Sequence, residues 1–247
     1  MNEAIDPVAY DTLWSGQWDD MRVYGPMARH SRRLMRSLTR DLSPQSILDV
    51  GCGEGSLLKA LAGDHPGAAL GGIELSDNAL HLARRTLPGA AFSALDVAST
   101  KLPQAFDLVV SADVVEHIDD DVAALRNMTA MTNPGGHVVV ATLQGRMREF
   151  ERGIGHVRNY ATGELQDKMT AAGLVVERVV EWGWPLYSPL YRDLLDTMDN
   201  RGTGGKFGLG RKLICHALYA LFMVNRSAKG DYIFVRAHKP EAEPGPK

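Results

Sequence analysis

An α/β fold, a seven-stranded and mostly parallel sheet with helices on both faces, is what three features of this sequence predict. First, apolar runs at 46–50, 70–74, 91–95, 106–111 and 136–142 alternate with helical spacing at 56–63, 77–87 and 119–132. That alternation builds a parallel sheet, because each crossover returns the chain to the same end of the sheet through a helix on one of its faces. Second, runs at 175–182 and 232–237 add two strands after the alternation has loosened. Third, Ile47-Leu48-Asp49-Val50-Gly51-Cys52-Gly53-Glu54-Gly55 ends an apolar strand in an aspartate and three alternating glycines, and Ser56-Leu57-Leu58 then opens a helix. A buried strand turning sharply into a helix needs glycine where backbone comes close to a ligand or to other backbone.

Residues 1–45 precede the first strand and read as an N-terminal helical cap, rich in aromatics at Tyr10, Trp14, Trp18 and Tyr24. Pro26 to Leu42 has Met27, Leu34, Met35 and Leu38 at helical spacing, while Arg29, His30, Arg32, Arg33, Arg36 and Arg40 read as a solvated basic face. The core then runs over 46–182. Asp119-Asp120-Asp121 has the look of a metal cluster. Three acids at a helix start are better explained by capping and the helix dipole, so no metal is expected. Asn133-Pro134-Gly135-Gly136 predicts a turn before the fifth strand, and 162–172 a further helix.

An insertion at 183–230 reads as a cap over the acceptor side. The last strand follows within 231–239, and the proline-rich tail that Lys239 opens, over 240–247, is expected to be disordered. Five glycines between Gly202 and Gly210 predict a mobile loop. Leu213 to Val224 is apolar nearly all round, broken by His216. Arg201, Lys206, Arg211, Lys212, Arg226 and Lys229 surround it with no acid between 200 and 230. Such a helix can lie on an anionic membrane or be buried with solvated ends, and burial is the favoured expectation.

The whole chain bounds the reading. Its 247 residues, 45% apolar and 23% charged, suit one core. A net charge of -3 offers no global attraction to nucleic acid. Cys52 and Cys215 have neither disulfide nor zinc spacing. No apolar run approaches the roughly 18 residues of a membrane span, and the acidic Met1–Asp6 start lacks the apolar core of a signal peptide. A cytoplasmic protein is expected, with peripheral contact to the inner membrane face through 200–230 if that segment is not buried.

In an open α/β sheet, ligands bind beyond the carboxyl ends of the strands. The first three strands each deliver an acid there: Asp49, Glu74 and Asp96, 25 and 22 positions apart. Asp49 can support an ammonium, Glu74 can accept from a pair of vicinal hydroxyls, and Asp96 can accept from a ring amino group with Leu75 or Val97 against the ring. Acids at strand ends also cap helices, but three in succession beside the glycine turn favour a nucleoside-like cofactor. A nicotinamide dinucleotide enzyme shares this outline, yet its turn is usually Gly-x-Gly-x-x-Gly, and here it is Gly51-x-Gly53-x-Gly55. No tyrosine has the lysine four residues later that a short-chain dehydrogenase carries.

Residues 46–142 resemble the class I S-adenosylmethionine-dependent methyltransferases, which have a Rossmann-like fold. Asp49 to Gly55 matches their first motif, Gly72-Ile73-Glu74-Leu75-Ser76 the second and Leu95-Asp96-Val97 the third. Phe106 to Ser111 with Val115-Glu116-His117-Ile118 matches the fourth-strand segment, and Asn133 to Gly136 the turn before strand five. The resemblance implies S-adenosylmethionine as cofactor, with Asp49, Gly51, Cys52, Gly53, Gly55 and Ser111 around it, Glu74 on the ribose and Asp96 on the adenine. Glu116-His117 and Gly155-His156-Val157-Arg158-Asn159-Tyr160 with Glu164-Leu165 are similar to the ubiquinone-pathway O-methyltransferases and their relatives. The insertion 183–230 lies outside that similarity.

Methyl transfer from a sulfonium is an in-line displacement, so alignment does most of the work, and a hydroxyl acceptor also needs its proton removed. His117, just past the fourth strand, and His156, in a glycine-flanked loop, are the candidate bases; packed histidines at those places are the plainer alternative. Arg158, Tyr160, Trp184 and Tyr187 are candidate acceptor contacts. Trp182 and Tyr191 are further aromatics that either line the acceptor pocket or pack in the core. Ser111-Ala112-Asp113-Val114 lacks the Asn/Asp-Pro-Pro-aromatic pattern of nucleic-acid base methylation. The expectation is O-methylation of a small or lipid-like acceptor. The alternatives are N- or C-methylation of a small metabolite, a nucleotide-cofactor oxidoreductase, and a non-catalytic binding module.

Overall fold

The computed structural model describes Asp11, Trp14 and residues 19–197 and 204–241. Its strands are β1 (Ser46–Val50), β2 (Ala69–Glu74), β3 (Ala91–Ala94), β4 (Phe106–Ala112), β5 (Thr132–Leu143), β6 (Val175–Trp182) and β7 (Tyr232–His238). They form one sheet in the order β3-β2-β1-β4-β5-β7-β6. The first five pair in parallel, while β7 is antiparallel to both β5 and β6. Central strands buried on two faces read as continuous apolar runs. Leu108, Val109 and Val110 of β4 are accordingly all fully buried.

The helices are α1 (Asp19–Tyr24), α2 (Pro26–Thr39), α3 (Ser56–Asp64), α4 (Asp77–Thr86), α5 (Asp121–Ala130), α6 (Glu149–Gly153), α7 (Glu164–Ala171), α8 (Arg192–Asp196) and α9 (Leu209–Phe222). One face of the sheet packs Leu125, Met128, Leu165 and Met169 from α5 and α7. The other packs Leu34, Met35 and Leu38 of α2, Leu58 and Leu61 of α3, and Phe222 of α9. Asp120 caps α5, accepting from the Ala123 N–H at 2.9 Å, while Asp121 takes Lys168 Nζ at 2.7 Å and the Tyr160 hydroxyl at 2.7 Å. The acidic triplet is thus a helix start, as its position implies.

Four expectations need correction. The basic residues of α2 do not form one solvated face. His30 is fully buried, stacked on Tyr219 at 4.4 Å and against Trp182 at 4.7 Å, and burial pushes it down to about 4. Arg36 pairs with Asp64, Arg29 lies over the Tyr219 ring at 3.6 Å, and Arg32 donates to the Arg22 carbonyl. Asn133-Pro134-Gly135-Gly136 is not a turn before β5 but a protrusion within it. Thr132 pairs with Phe106 and His137 with Leu108, so the four residues between them bulge from the ladder. Lys239, expected to open the loose tail, is tied down instead, its Nζ donating to the carbonyls of Thr129 and Thr132.

The fourth correction concerns α9. Its apolar composition favours burial, yet only Cys215 and Phe222 are buried. Leu213 and Ile214 are each 60% exposed, and Leu209, Leu221, Met223 and Val224 are exposed beside them. Burial would need a second layer over the helix, and α2 already fills its inner side. No helix among the described residues is long and apolar enough to cross a membrane. Of the glycine-rich loop from Gly202 to Gly210, residues 202 and 203 lie outside the described residues, as do 242–247 of the tail.

The insertion is anchored by charge. Arg192 is fully buried and donates to Glu151, itself fully buried, from Nε at 2.8 Å, and it also reaches Asp231 and the Arg146 carbonyl. Arg148 donates to Asp193 at 2.7 Å and to the Ser188 carbonyl at 2.9 Å. Removing one partner of a buried pair leaves the other charge unpaired in low dielectric. Arg192→Ala should therefore destabilise the protein by about 3–5 kcal/mol. Leu213→Ser, on the exposed side of α9, should stay within about 0.5 kcal/mol of wild type. Urea unfolding of the two variants measures both.

Candidate functional site

The chain order reverses between β1 and β4, and a crevice opens where their carboxyl ends diverge. A cavity of about 370 Å³ occupies it, within the range of small-molecule sites. Asp49 lines it from β1 and Gly51, Cys52 and Gly53 from the turn after it, Asp113, Glu116 and His117 from the segment after β4, and His156 from the loop after α6. Gly51 has φ +71°, and a Cβ there would collide with Val114, so the turn leaving β1 packs directly on the turn leaving β4. Asp113 in that second turn has φ +59°, a costly backbone state for a residue with a side chain. It aims the carboxylate into the cavity, where the Tyr232 hydroxyl donates to it at 2.6 Å.

The two histidines meet in this cavity, their rings edge-on with centroids 4.7 Å apart. His117 Nδ1 lies 3.0 Å from the Gly155 carbonyl, which can only accept. Nδ1 therefore carries the proton, and Nε2 of the neutral ring is left as a base. Asn159 donates its amide to Glu151 and to the Arg146 carbonyl, so its Oδ1 accepts from His156 Nδ1 at 3.5 Å, and His156 has the same tautomer. Burial holds His117 below its usual value and pushes His156 down to about 3, so both are neutral at pH 7. The acids move the other way. Enclosure and the neighbouring Glu116 push Asp113 up to about 7, and burial pushes Glu116 up to about 7. Donor atoms of Glu116, His117 and His156 lie within 4.8 Å of one another, close enough to hold one metal ion. Sequence spacing does not announce that grouping.

Other site residues fall outside the cavity lining. Glu74 is buried and accepts from the N–H groups of Gly53, Leu75 and Ser76 at 3.0, 2.8 and 3.1 Å, so it organises the glycine turn. Gly55, with φ +82°, caps α3. Leu75 is 62% exposed at the rim, and Asp96 accepts from the Ala98 N–H within its own turn. Val97 is buried in the core, and Ser111 donates to the Val50 carbonyl, tying β4 to β1. Among the acceptor candidates, Tyr187 lines the cavity, with Tyr191 beside it. Three others do not. Tyr160 is fully buried on Asp121, Arg158 is held by the carbonyls of Ile118 and Asp119, and Trp184 lies outside under Arg226 and Lys229. Trp182 is a core residue stacked on Tyr187. Sequence reasoning missed Asp113, Glu116 and Tyr232 as members of the site.

A buried carboxylate oxygen without a partner points to what the crevice holds. Asp49 is 2% exposed and its Oδ2 has no hydrogen-bond partner among the described residues, while burial and the nearby Glu74 and Glu54 hold its pKa well above the usual carboxylate range. An ammonium placed there would satisfy that oxygen. Arg32 lines the same cavity and offers a guanidinium to a carboxylate. The chain therefore fits an amino-acid-bearing nucleoside.

Residues 48–138 match the family model described as methyltransferase domain. The matched segment runs from β1 into β5. The chain is 30% identical over 157 residues to the ubiquinone biosynthesis O-methyltransferase of Thiobacillus denitrificans, covering 60% of this chain and 66% of that protein. To the same-named protein of Ralstonia nicotianae it is 31% identical over 143 residues, 54% and 58% of the two chains. The chain thus spans less than two thirds of these relatives' lengths. Among solved structures, N-methyltransferase NodS from Bradyrhizobium japonicum with S-adenosyl-L-homocysteine superposes at TM-score 0.64 with 19% identity, covering 95% of this chain and 98% of that one. The [4+2]-cyclase SpnF superposes at 0.62 with 20% identity over 92% and 88%. The chain therefore shares the fold of these structures, and the fold alone leaves the reaction to be argued from residues.

The Tyr232 hydroxyl bond favours the ionised form of Asp113. Tyr232→Phe removes it, so Asp113 should titrate above 7. A carboxyl-carbon NMR titration of wild type and variant measures the difference.

Proposed function

We propose that this chain transfers a methyl group from S-adenosylmethionine to an oxygen of a small, largely apolar acceptor. The observation that carries the reading is the placement, in one cavity, of the unpartnered Asp49 oxygen and glycine turn beside two neutral imidazoles. When bound, the cofactor supplies an electrophilic methyl on sulfur. Asp49 and Arg32 are placed to hold its amino-acid end, and Glu74 stands at the second strand end where a ribose would meet it. His117 Nε2 is the group placed to take the acceptor's proton, with His156 against its ring. Phe150, Ile154, Tyr187, Tyr191 and Leu195 make the acceptor side apolar and aromatic. The O-methyltransferase names of the relatives support oxygen over nitrogen or carbon.

Calorimetry should find S-adenosylhomocysteine binding at micromolar concentrations and no NAD binding. With an acceptor, His117→Ala should lower turnover by about 10²-fold, the usual scale of general-base catalysis, with cofactor affinity little changed. NAD binding without S-adenosylhomocysteine binding would replace this reading with an oxidoreductase.

The exposed apolar side of α9 supports peripheral membrane contact and a lipid-like acceptor. Arg211 and Lys212 lie in the same helix and Arg226 and Lys229 follow it in sequence, a basic segment that fits an anionic leaflet. The protein should float with vesicles of anionic phospholipid at low salt, and Leu213→Glu with Ile214→Glu should release it. Failure to float at low salt would restrict the acceptor to soluble molecules.

A further inference from the structure

Asp11 and Trp14 reach the cofactor crevice from outside the family domain. The Asp11 carboxylate accepts from the Asn78 N–H at 3.0 Å and from the Asn78 side-chain amide at 2.8 Å, and the Ser76 hydroxyl also donates to it. Ser76 caps α4 and directly follows Glu74 and Leu75, so this contact is made on the rim of the β2 end. These donors hold Asp11 below the usual carboxylate range, so the contact persists at neutral pH.

Trp14 makes the second contact. Its indole lies against Gly53 so closely that a Cβ there would collide with it, and it lines the cavity with Asp49 and Glu54. Arg22 sits over the same indole at 5.1 Å and meets Glu54 at 3.9 Å, while Arg32 donates to the Arg22 carbonyl at 2.9 Å. The indole is thus held between the glycine turn and a guanidinium that is itself held. Gly53 also donates its N–H to Glu74. Trp14 and Asp49 line one cavity, so a ligand seated on Asp49 has the indole as a neighbouring wall.

Resting on the cofactor reading above, we propose that Trp14 is a cofactor-contacting wall and that Asp11 is the latch holding that wall on the crevice, the two together slowing cofactor release. A rigid aromatic face offers contact area at little entropic cost, and the latch removes the freedom that would otherwise be lost on binding. Asp11 touches the rim rather than the ligand, so its effect falls on the rate of release.

The test uses the full chain and S-adenosylhomocysteine as probe, with calorimetry for affinity and stopped-flow Trp fluorescence for release. Trp14→Ala should weaken binding about tenfold or more, and Trp14→Phe should recover most of the loss. Asp11→Ala should speed release several-fold with a smaller change in association. Asp11→Asn, which keeps the shape and loses the charge, should fall between, and it serves if Asp11→Ala folds poorly. Wild-type binding with Trp14→Ala and Asp11→Asn unchanged in affinity and release overturns this inference and leaves the methyltransferase reading standing. No binding by wild type overturns both.

Discussion

The divergence of β1 and β4 at the switch point is the constraint on which the site depends. The chain has to leave two adjacent parallel strands in opposite directions at nearly the same height. Gly51 does so with a left-handed turn whose missing Cβ is filled by Val114, and Val114 belongs to the turn leaving β4. The two turns interlock, and Asp113 is carried into its left-handed conformation between them. Ser111 binds the Val50 carbonyl immediately below and keeps the strands from parting further. Asp49, Asp113, Glu116 and His117 face one space because of that junction.

Enclosure then orders the charges. The same loss of water that raises Asp49, Asp113 and Glu116 lowers His117 and His156, since each group is pushed towards its neutral form. A crevice of neutral bases and reluctant acids suits a cationic sulfonium. Its charge is welcome beside carboxylates that are costly to ionise alone, while the imidazoles remain free to accept a proton. Beside them, Arg192 pairs with Glu151 and Arg148 with Asp193, so each of these groups has a partner.

The sheet and the glycine turn were legible because they rest on local patterns: apolar runs of strand length, and glycines where backbone must pass close. The reading failed where tertiary placement decides. Tyr160 and Arg158 follow His156 in sequence, but the Gln144–Tyr160 bridge and the Asp121 cluster turn both away from the cavity. Asp113 and Tyr232 meet across a separation of 119 positions, with no motif linking them. His30 reads as one more basic residue among arginines, and only the arrival of Trp182 and Tyr219 from the insertion side buries it. In α9 the composition is the same whether the helix is covered or not, so the sequence could not separate the two.

Glu151 joins the Tyr187–Tyr191 wall of the cavity to His156. One of its oxygens takes Arg192, from the helix that follows Tyr187 and Tyr191. The other takes the Arg148 N–H and the amide of Asn159, each at 2.9 Å. Asn159 in turn orients His156. The insertion that shapes the acceptor side and the loop that carries an imidazole therefore share one buried carboxylate. A buried ion pair adds little net stability, because desolvation offsets the attraction. What this one supplies is a fixed relation between two segments that the sheet does not connect. A shift of the insertion to fit a different acceptor would move Arg192, and through Glu151 and Asn159 it would reach the ring of His156. The shape of that cavity wall and the orientation of the His156 ring are in this way parts of one packing problem.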